Sequence, residues 1–320
     1  MQCDGAAMAQ TEESQARKPL ILEIKGNSLD DGPGIRTVVF FKGCPLSCSW
    51  CHNPESKRAR VEIGYDRKEC IGCGTCTAVC PEKAVSPQNI HPVDREKCTL
   101  CFRCVEECPA GALARVGRSL SIDEIAAEVL KDKPFFDTSG GGATFSGGEP
   151  VMFMEFLSEL LHALKAYQVH TLLETSGFFD FEKFERLLLP CLDMIYYDIK
   201  IMDEKAHRIH TGVSNQRILE NFERLFKISR DTGITLLHRT PLVPGITDRH
   251  ENIQGIARFL AELGVRNAAL MPYNPLWHEK ADKIGADNPH RGHAVMAAWM
   301  EKEKVEACRR IFSEEGIQVV

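Results

Sequence analysis

Apolar and polar positions change their period several times along this chain. The run Thr37–Gly43, TVVFFKG, is apolar almost throughout and reads as a buried strand leading into Cys44. From about Glu55 to Val116 the chain is cysteine-rich and punctuated by Pro and Gly, with no sustained period. Regular alternation begins only after it. SIDEIAAEVLKDK (Ser121–Lys133) has the spacing of an amphipathic helix, with Ser121 as N-cap and Glu124 three residues on, a capping box. Strand GATFSG, helix MFMEFLSELLHALKAY, strand HTLLETS and helix FEKFERLLL follow. Strand MIYYDIK, helix NQRILENFERLFKISR, strand TLLHRTPLV, helix ENIQGIARFLAELG and strand NAALMPYN continue the series. A last helix near Ala298–Glu315 precedes the strand IQVV.

Strands alternating with helices at this spacing imply right-handed crossovers and a parallel sheet. Counting the strand before Cys44, six main repeats precede a short seventh strand, fewer than a closed eight-stranded barrel needs. The predicted fold class is α/β, a partial (β/α)6 barrel made of residues 19–55 and 117–320. The cysteine-rich residues 56–116 are an insertion after the first strand, and the polar residues 1–18 a disordered extension. Ligands of such sheets sit at the carboxyl ends of the strands, where the loops SGGEP, ETSG and DIK fall.

Composition narrows the chemistry. A net charge of −6 over 320 residues argues against nucleic acid or an anionic membrane as the main partner. No apolar run reaches the ~18 residues needed to span a bilayer, and the start of the chain lacks the apolar core of a secretory signal, so a cytoplasmic location is expected. Of 14 cysteines, eleven lie between Cys44 and Cys108, while Cys3, Cys191 and Cys308 stand alone. Thiols crowded this tightly in a reducing compartment suit soft-metal ligation.

Cys44, Cys48 and Cys51 form C-x3-C-x2-C in the loop after the first strand. Three thiolates at this spacing wrap one corner of a cubane cluster and leave its fourth iron open, the mark of a reactive centre. The alternative is a zinc site completed by His52, but adjacent Cys51 and His52 do not easily face one small ion. Cys70, Cys73, Cys76 and Cys80 before Pro81, and Cys98, Cys101, Cys104 and Cys108 before Pro109, each spell C-x2-C-x2-C-x3-C-P.

The first motif, DGPGIRT (Asp31–Thr37) before it, and SGGGATFSGGEP, LLETSGF, YDIKIMD and LVPGITD together resemble the glycyl radical enzyme activating enzymes of the radical S-adenosylmethionine (SAM) superfamily. The resemblance implies a [4Fe–4S] cluster on Cys44, Cys48 and Cys51, with SAM chelating its open iron. One electron would cleave SAM to a 5′-deoxyadenosyl radical, which takes hydrogen from a backbone glycine of a separate glycyl radical enzyme. It places Trp50, Cys51 and His52 beside the adenine. Gly147, Gly148 and Glu149 would receive the SAM amino group, and Thr175, Asp198, Ile199, Lys200 and Arg239 would line the cofactor. Lys200 and Asp31 carry the catalytic expectations, Asp31 by positioning the acceptor peptide.

Read without the resemblance, Gly147 and Gly148 also suit a tight turn, Lys200 a solvated strand end, Asp198 a helix cap, Arg239 a surface ion pair and Asp31 a turn. Two positions depart from the family. Asn274 stands where a histidine is expected after Pro-Tyr, which keeps hydrogen bonding but loses stacking. Glu174 replaces an aspartate of a monovalent-cation site, and such a cation beside SAM is left open.

The paired eight-cysteine motif resembles two-cluster ferredoxins, in which the fourth cysteine of each run ligates the other cluster. That gives one set of Cys70, Cys73, Cys76 and Cys108 and another of Cys98, Cys101, Cys104 and Cys80, three [4Fe–4S] clusters in all. Fully ligated clusters carry electrons from an external flavodoxin- or ferredoxin-type reductant; a purely structural or docking role is the alternative.

Overall fold

Most strands that follow one another in the sequence lie side by side in space. In the computed structural model, which describes residues 18–86, 88–89 and 92–320, the chain opens with β1 (Leu20–Ser28) and β2 (Arg36–Lys42). The extension expected at residues 1–18 lies outside the described residues save for Lys18. Next come β3 (Glu62–Tyr65), α1 (Thr75–Ala78), α2 (Arg103–Glu106), β4 (Leu113–Val116) and β5 (Arg118–Ser119). The alternating part holds α3 (Ile122–Leu130), α4 (Lys133–Ser139), β6 (Gly142–Gly147), α5 (Met154–Lys165), β7 (His170–Thr175) and α6 (Phe181–Leu187). It continues through β8 (Met194–Asp198), α7 (Glu204–Thr211), α8 (Gln216–Asp231), β9 (Thr235–Pro241), α9 (His250–Leu263) and β10 (Asn267–Met271). The chain closes with α10 (Trp277–Ile284), α11 (Lys302–Glu314) and β11 (Gln318–Val319).

The main sheet has nine strands in the order β11-β10-β9-β8-β7-β6-β2-β1-β5 and stays open at both edges. From β2 to β11 neighbours are parallel, while β1 and β5 add an antiparallel margin. Among the described residues the first strand is therefore β1, and the cysteine loop follows the second. The capping box at Ser121 and Glu124 starts α3. α11 begins at Lys302, four residues later than its apolar spacing suggested, because Ala298 is extended. Among the described residues, no helix is long and apolar enough to cross a membrane.

Period-two alternation decides which side chains meet. Thr175, Tyr197 and His238 are in register across β7, β8 and β9, and so are Glu174 and Tyr196, and Asp198 and Arg239. Leu173, Ile195 and Tyr197 point under the helices with Phe41, Phe145, Leu160 and Phe222, forming the large core. Glu174, Tyr196, Asp198 and Arg239 share the opposite, inner face.

Among the described residues, 62–116 contribute no strand to this sheet. β3 and β4 pair with each other as a separate antiparallel ribbon. The sequence repeat has a structural counterpart: α1 and α2 each begin after a left-handed residue, Gly74 (φ 76°) and Phe102 (φ 60°).

Candidate functional site

β2 ends at Lys42, and Gly43 (φ 128°) turns the chain into the loop bearing Cys44, Cys48 and Cys51. The amides of Ser47 and Ser49 donate to the carbonyls of Thr211 (2.7 Å) and His210 (2.9 Å) at the end of α7. Those carbonyls have no partner within their own helix, so loop and helix end satisfy each other. Lys57 Nζ donates to the Cys48 carbonyl at 2.8 Å. Leu46, Cys48 and Trp50 are buried with Ile201, Val243, Tyr273, Trp277 and Met296, which come from the loops after β8, β9 and β10, from the start of α10 and from the segment before α11. Trp50 lies 6.0 Å from the His210 ring, and His52 is exposed. Burial pushes all three thiols up, Cys51 to about 11, so they are neutral until a metal takes their protons.

The loop after β6 is pressed against this one. A Cβ on Gly147 (φ 104°) would sit 2.5 Å from the Phe41 carbonyl oxygen, and one on Gly148 2.1 Å from that of Gly43. The amides of Gly148 and Glu149 donate to those same carbonyls at 2.8 and 2.7 Å. Both glycines are thus required by close approach of two backbones. The Glu149 carboxylate, 1% exposed, accepts from Thr175 Oγ1 (2.9 Å), the Ser176 amide (2.8 Å) and the Ser176 hydroxyl. These bonds tie the end of β7 to the cysteine loop and leave acceptor capacity on Oε1, which takes a single donor. Burial raises the Glu149 pKa, and the hydrogen bonds from Ser176 and Thr175 oppose the rise.

On the inner face one polar chain crosses four strands. Ser146 Oγ donates to Glu174 Oε2 (2.7 Å), Arg239 Nη1 to Glu174 Oε1 (2.6 Å) and Arg239 Nε to Asp198 Oδ1 (3.0 Å). Lys200 Nζ completes it on Asp198 Oδ2 at 2.9 Å. Lys200 is only 11% exposed and Arg239 12%, so neither is a surface group. Burial would raise the Asp198 carboxyl, but Arg239 and Lys200 outweigh it and hold it below its ordinary value. Burial likewise works against Lys200 and is overcome by Asp198, so the ammonium is held charged. The helix cap belongs to Asp203, which accepts from the Ala206 amide at 2.7 Å.

Arg239 was expected at an anion; two of its nitrogens are already engaged by Glu174 and Asp198. Both Glu174 oxygens are engaged as well, by Ser146 and Arg239. Ile199 is buried and bonds through its backbone, accepting from Thr240 Oγ1 at 3.1 Å. Asn274 Oδ1 accepts from the Leu276 amide (2.9 Å) just before α10.

Asp31 is set apart. It lies before β2, at the other end of that seven-residue strand from the cysteines. Its carboxylate accepts from Ser28 and its carbonyl from Thr144 Oγ1 (2.7 Å). Arg36, with no exposure, pins the same turn through Thr144 Oγ1 (2.6 Å), the Ala143 carbonyl (2.6 Å) and the Pro33 carbonyl (3.3 Å).

The other eight cysteines line two cavities. Cys70, Cys73, Cys76 and Cys108 share one with Tyr65 and Leu113. Cys80, Cys98, Cys101 and Cys104 share the other with Ile63, Val85 and Phe102. Sequence reasoning did not find Ser146, Ser176, Lys57 or the carbonyls of α7. Ser146 and Ser176 stood inside quoted motifs, whereas Lys57 carried no signal.

The Radical SAM superfamily model matches residues 38–260, which include the cysteine loop and the polar chain. This chain belongs to the radical SAM superfamily. Membership implies SAM and a [4Fe–4S] cluster. The trans-4-hydroxy-L-proline dehydratase activating enzyme of Clostridioides difficile is 39% identical over 298 residues, 92% of this chain and 96% of that protein. The isethionate sulfite-lyase activating enzyme of Nitratidesulfovibrio vulgaris is 40% identical over 276 residues, 84% of this chain and 89% of that one. The benzylsuccinate synthase activating enzyme of Thauera aromatica is 42% identical over 250 residues, 76% of this chain and 74% of that one. This radical SAM enzyme groups with the activating enzymes of glycyl radical enzymes, which are oxidoreductases. A radical SAM methyltransferase structure from Sphaerobacter thermophilus shares the fold at TM-score 0.52 and 16% identity, over 94% of this chain and 76% of that one.

Proposed function

We propose that Cys44, Cys48 and Cys51 hold a [4Fe–4S] cluster at which SAM is reductively cleaved, and that the radical activates a partner by taking hydrogen from one of its backbone glycines. When bound, cluster and SAM supply a one-electron cleavage of the sulfonium C–S bond to methionine and a 5′-deoxyadenosyl radical. The chain's own groups do the rest. Glu149 fixes the loop spacing through Thr175 and Ser176. Asp198 and Lys200 present a paired charge at the strand end, where a zwitterionic amino acid would meet complementary groups. Trp50 and its apolar neighbours exclude water from one side. A monovalent cation beside SAM would have to share Glu174 with Arg239.

The observation that carries this reading is the three-cysteine loop backed onto the Glu149 turn and facing the inner-strand carboxylates. Reduced anaerobic protein with SAM alone should release 5′-deoxyadenosine, and Cys48→Ala should release none. A full-strength Cys48→Ala enzyme would overturn the assignment. Added to its correct partner, the protein should generate a glycyl doublet in electron paramagnetic resonance.

The partial (β/α)6 barrel, residues 19–55 and 117–320, would be the catalytic body and residues 56–116 a ferredoxin-like insertion. Its two cavities, each walled by four cysteines drawn from both motif copies, support two further [4Fe–4S] clusters. They would relay electrons from a flavodoxin- or ferredoxin-type reductant in the cytoplasm. Asp31, at the far end of β2, would meet the acceptor peptide.

A further inference from the structure

Residues 62–116 are joined to the main sheet at a buried carboxylate. Glu62, the first residue of β3, is 1% exposed. Three cations converge on it: Lys42 Nζ at 2.7 Å, Arg58 Nη1 at 2.8 Å and Arg95 Nη1 at 3.2 Å. Lys42 has no exposure, ends β2 two residues before Cys44, and also donates to the Glu55 carbonyl at 2.6 Å. Arg95 stands three residues before Cys98, and its Nη2 donates to the Ile284 carbonyl at the end of α10. One carboxylate therefore ties together the strand leading to the first cysteine loop, the segment leading to the second cysteine cavity, and α10. Burial alone would raise the Glu62 carboxyl; Lys42, Arg58 and Arg95 outweigh it and keep it ionised. A buried charge with this many partners is costly to disturb, because removing it strands Lys42 in the interior.

β3 then ranks the two cavities. Glu62 is at the joint, Ile63 lines the cavity of Cys80, Cys98, Cys101 and Cys104, and Tyr65 lines that of Cys70, Cys73, Cys76 and Cys108. A strand advances ~3.3 Å per residue, so the Cys70/Cys73/Cys76/Cys108 cavity lies farther from the joint. Next to it Ile71 is 69% exposed, an apolar side chain beside the outer cysteines.

We infer that Glu62 is a positioning residue for electron delivery: it seats the Cys80/Cys98/Cys101/Cys104 centre next to the Cys44 loop and leaves the Cys70/Cys73/Cys76/Cys108 centre as the outer one, facing a low-potential one-electron protein reductant. This rests on the cluster assignment proposed above. The transfer moves one electron and breaks no bond. The external reductant is oxidised by one electron, and the Cys44 centre is reduced by one.

The test compares the iron-loaded protein with Arg95→Met, which leaves Lys42 and Arg58 on Glu62, and with Glu62→Gln. Iron content, amide exchange across Glu62–Tyr65, and 5′-deoxyadenosine formation are measured, the last with reduced ferredoxin and separately with titanium(III) citrate. Arg95→Met should keep its iron, exchange faster in β3, and lose about tenfold in rate with ferredoxin, as small misplacements do, while staying within about twofold with titanium(III). Glu62→Gln should move the same way and further. Equal losses with both reductants would show that Glu62 merely holds the fold. Unchanged ferredoxin-driven rates despite faster exchange would also overturn the inference. Failure of the underlying functional reading looks different: the unaltered protein would make no deoxyadenosine even with titanium(III).

Discussion

The loop carrying Cys44, Cys48 and Cys51 borrows its rigidity from far along the chain, whereas residues 62–116 rest on a small apolar cluster of their own and on ion pairs to neighbouring elements. The first is braced by α7 carbonyls, by Lys57, and by walls from the loops after β8, β9 and β10. Beneath it runs the large helix-covered core. The second offers a four-residue ribbon pair, two four-residue helices and a small cluster around Ile63, Tyr65, Val85, Val93 and Leu113. With clusters bound as proposed, a region with so small an apolar core would depend on them, while a region with a large core tolerates an empty site.

Stripping iron by anaerobic chelation should therefore give the largest effect. In small metal-dependent domains the metal supplies on the order of 10 kcal/mol, so amide protection across 62–116 should collapse while β6–β9 keep theirs. Uniform loss, or none, would erase the contrast. Arg239→Met comes next. It leaves Glu174 and Asp198 with only Ser146 and Lys200, and unpairing buried charges of this kind costs about 3–5 kcal/mol. Denaturant titration reads that loss, and calorimetry should show SAM binding lost with it. Gly148→Ala forces a methyl against the Gly43 carbonyl, where overpacking costs about 1–3 kcal/mol. Its signature should be selective: less iron at the Cys44 centre, with the two other centres loaded normally.

The smallest effect tests the core alone. His238, on the helix-covered face beside Arg239, is buried, its Nδ1 lacks a partner, and burial lowers its pKa to about 3. The unfolded chain titrates near 6.5 and the folded one far below, so the unfolded state binds the extra proton. This stability is full above pH 6.5 and is lost progressively as pH falls toward about 3. Between pH 7 and 5.5 the loss is about 1 kcal/mol, and it should vanish in His238→Leu. A steeper drop confined to the insertion would mean its own groups dominate the acid response.

The parallel strands were legible because buried apolar runs alternate with amphipathic helices, from the seven residues of α6 to the sixteen of α8. β1 was passed over although Leu22 to Lys25 alternate, since its antiparallel place at the margin breaks the βα rhythm. α7 and α10 have eight residues each and few apolar positions, too little period to register. The two cysteine runs were readable from spacing, while their exchange of fourth members came from the resemblance to two-cluster ferredoxins; the same groupings line the two cavities. The engagement of Arg239 by Glu174 and Asp198 was not readable, because it follows from register across β7, β8 and β9, and no local pattern encodes which strands will be neighbours.

The contact between the cysteine loop and the end of α7 has an electrical side. A helix concentrates partial negative charge at its final carbonyls, and here those of His210 and Thr211 abut the residues flanking Cys48. Lys57 and Lys200 lie on the same cysteine and pull the other way. A redox centre seated there would have its midpoint potential set by this opposition, and Lys57→Met, leaving the helix end less opposed, should shift that potential downward.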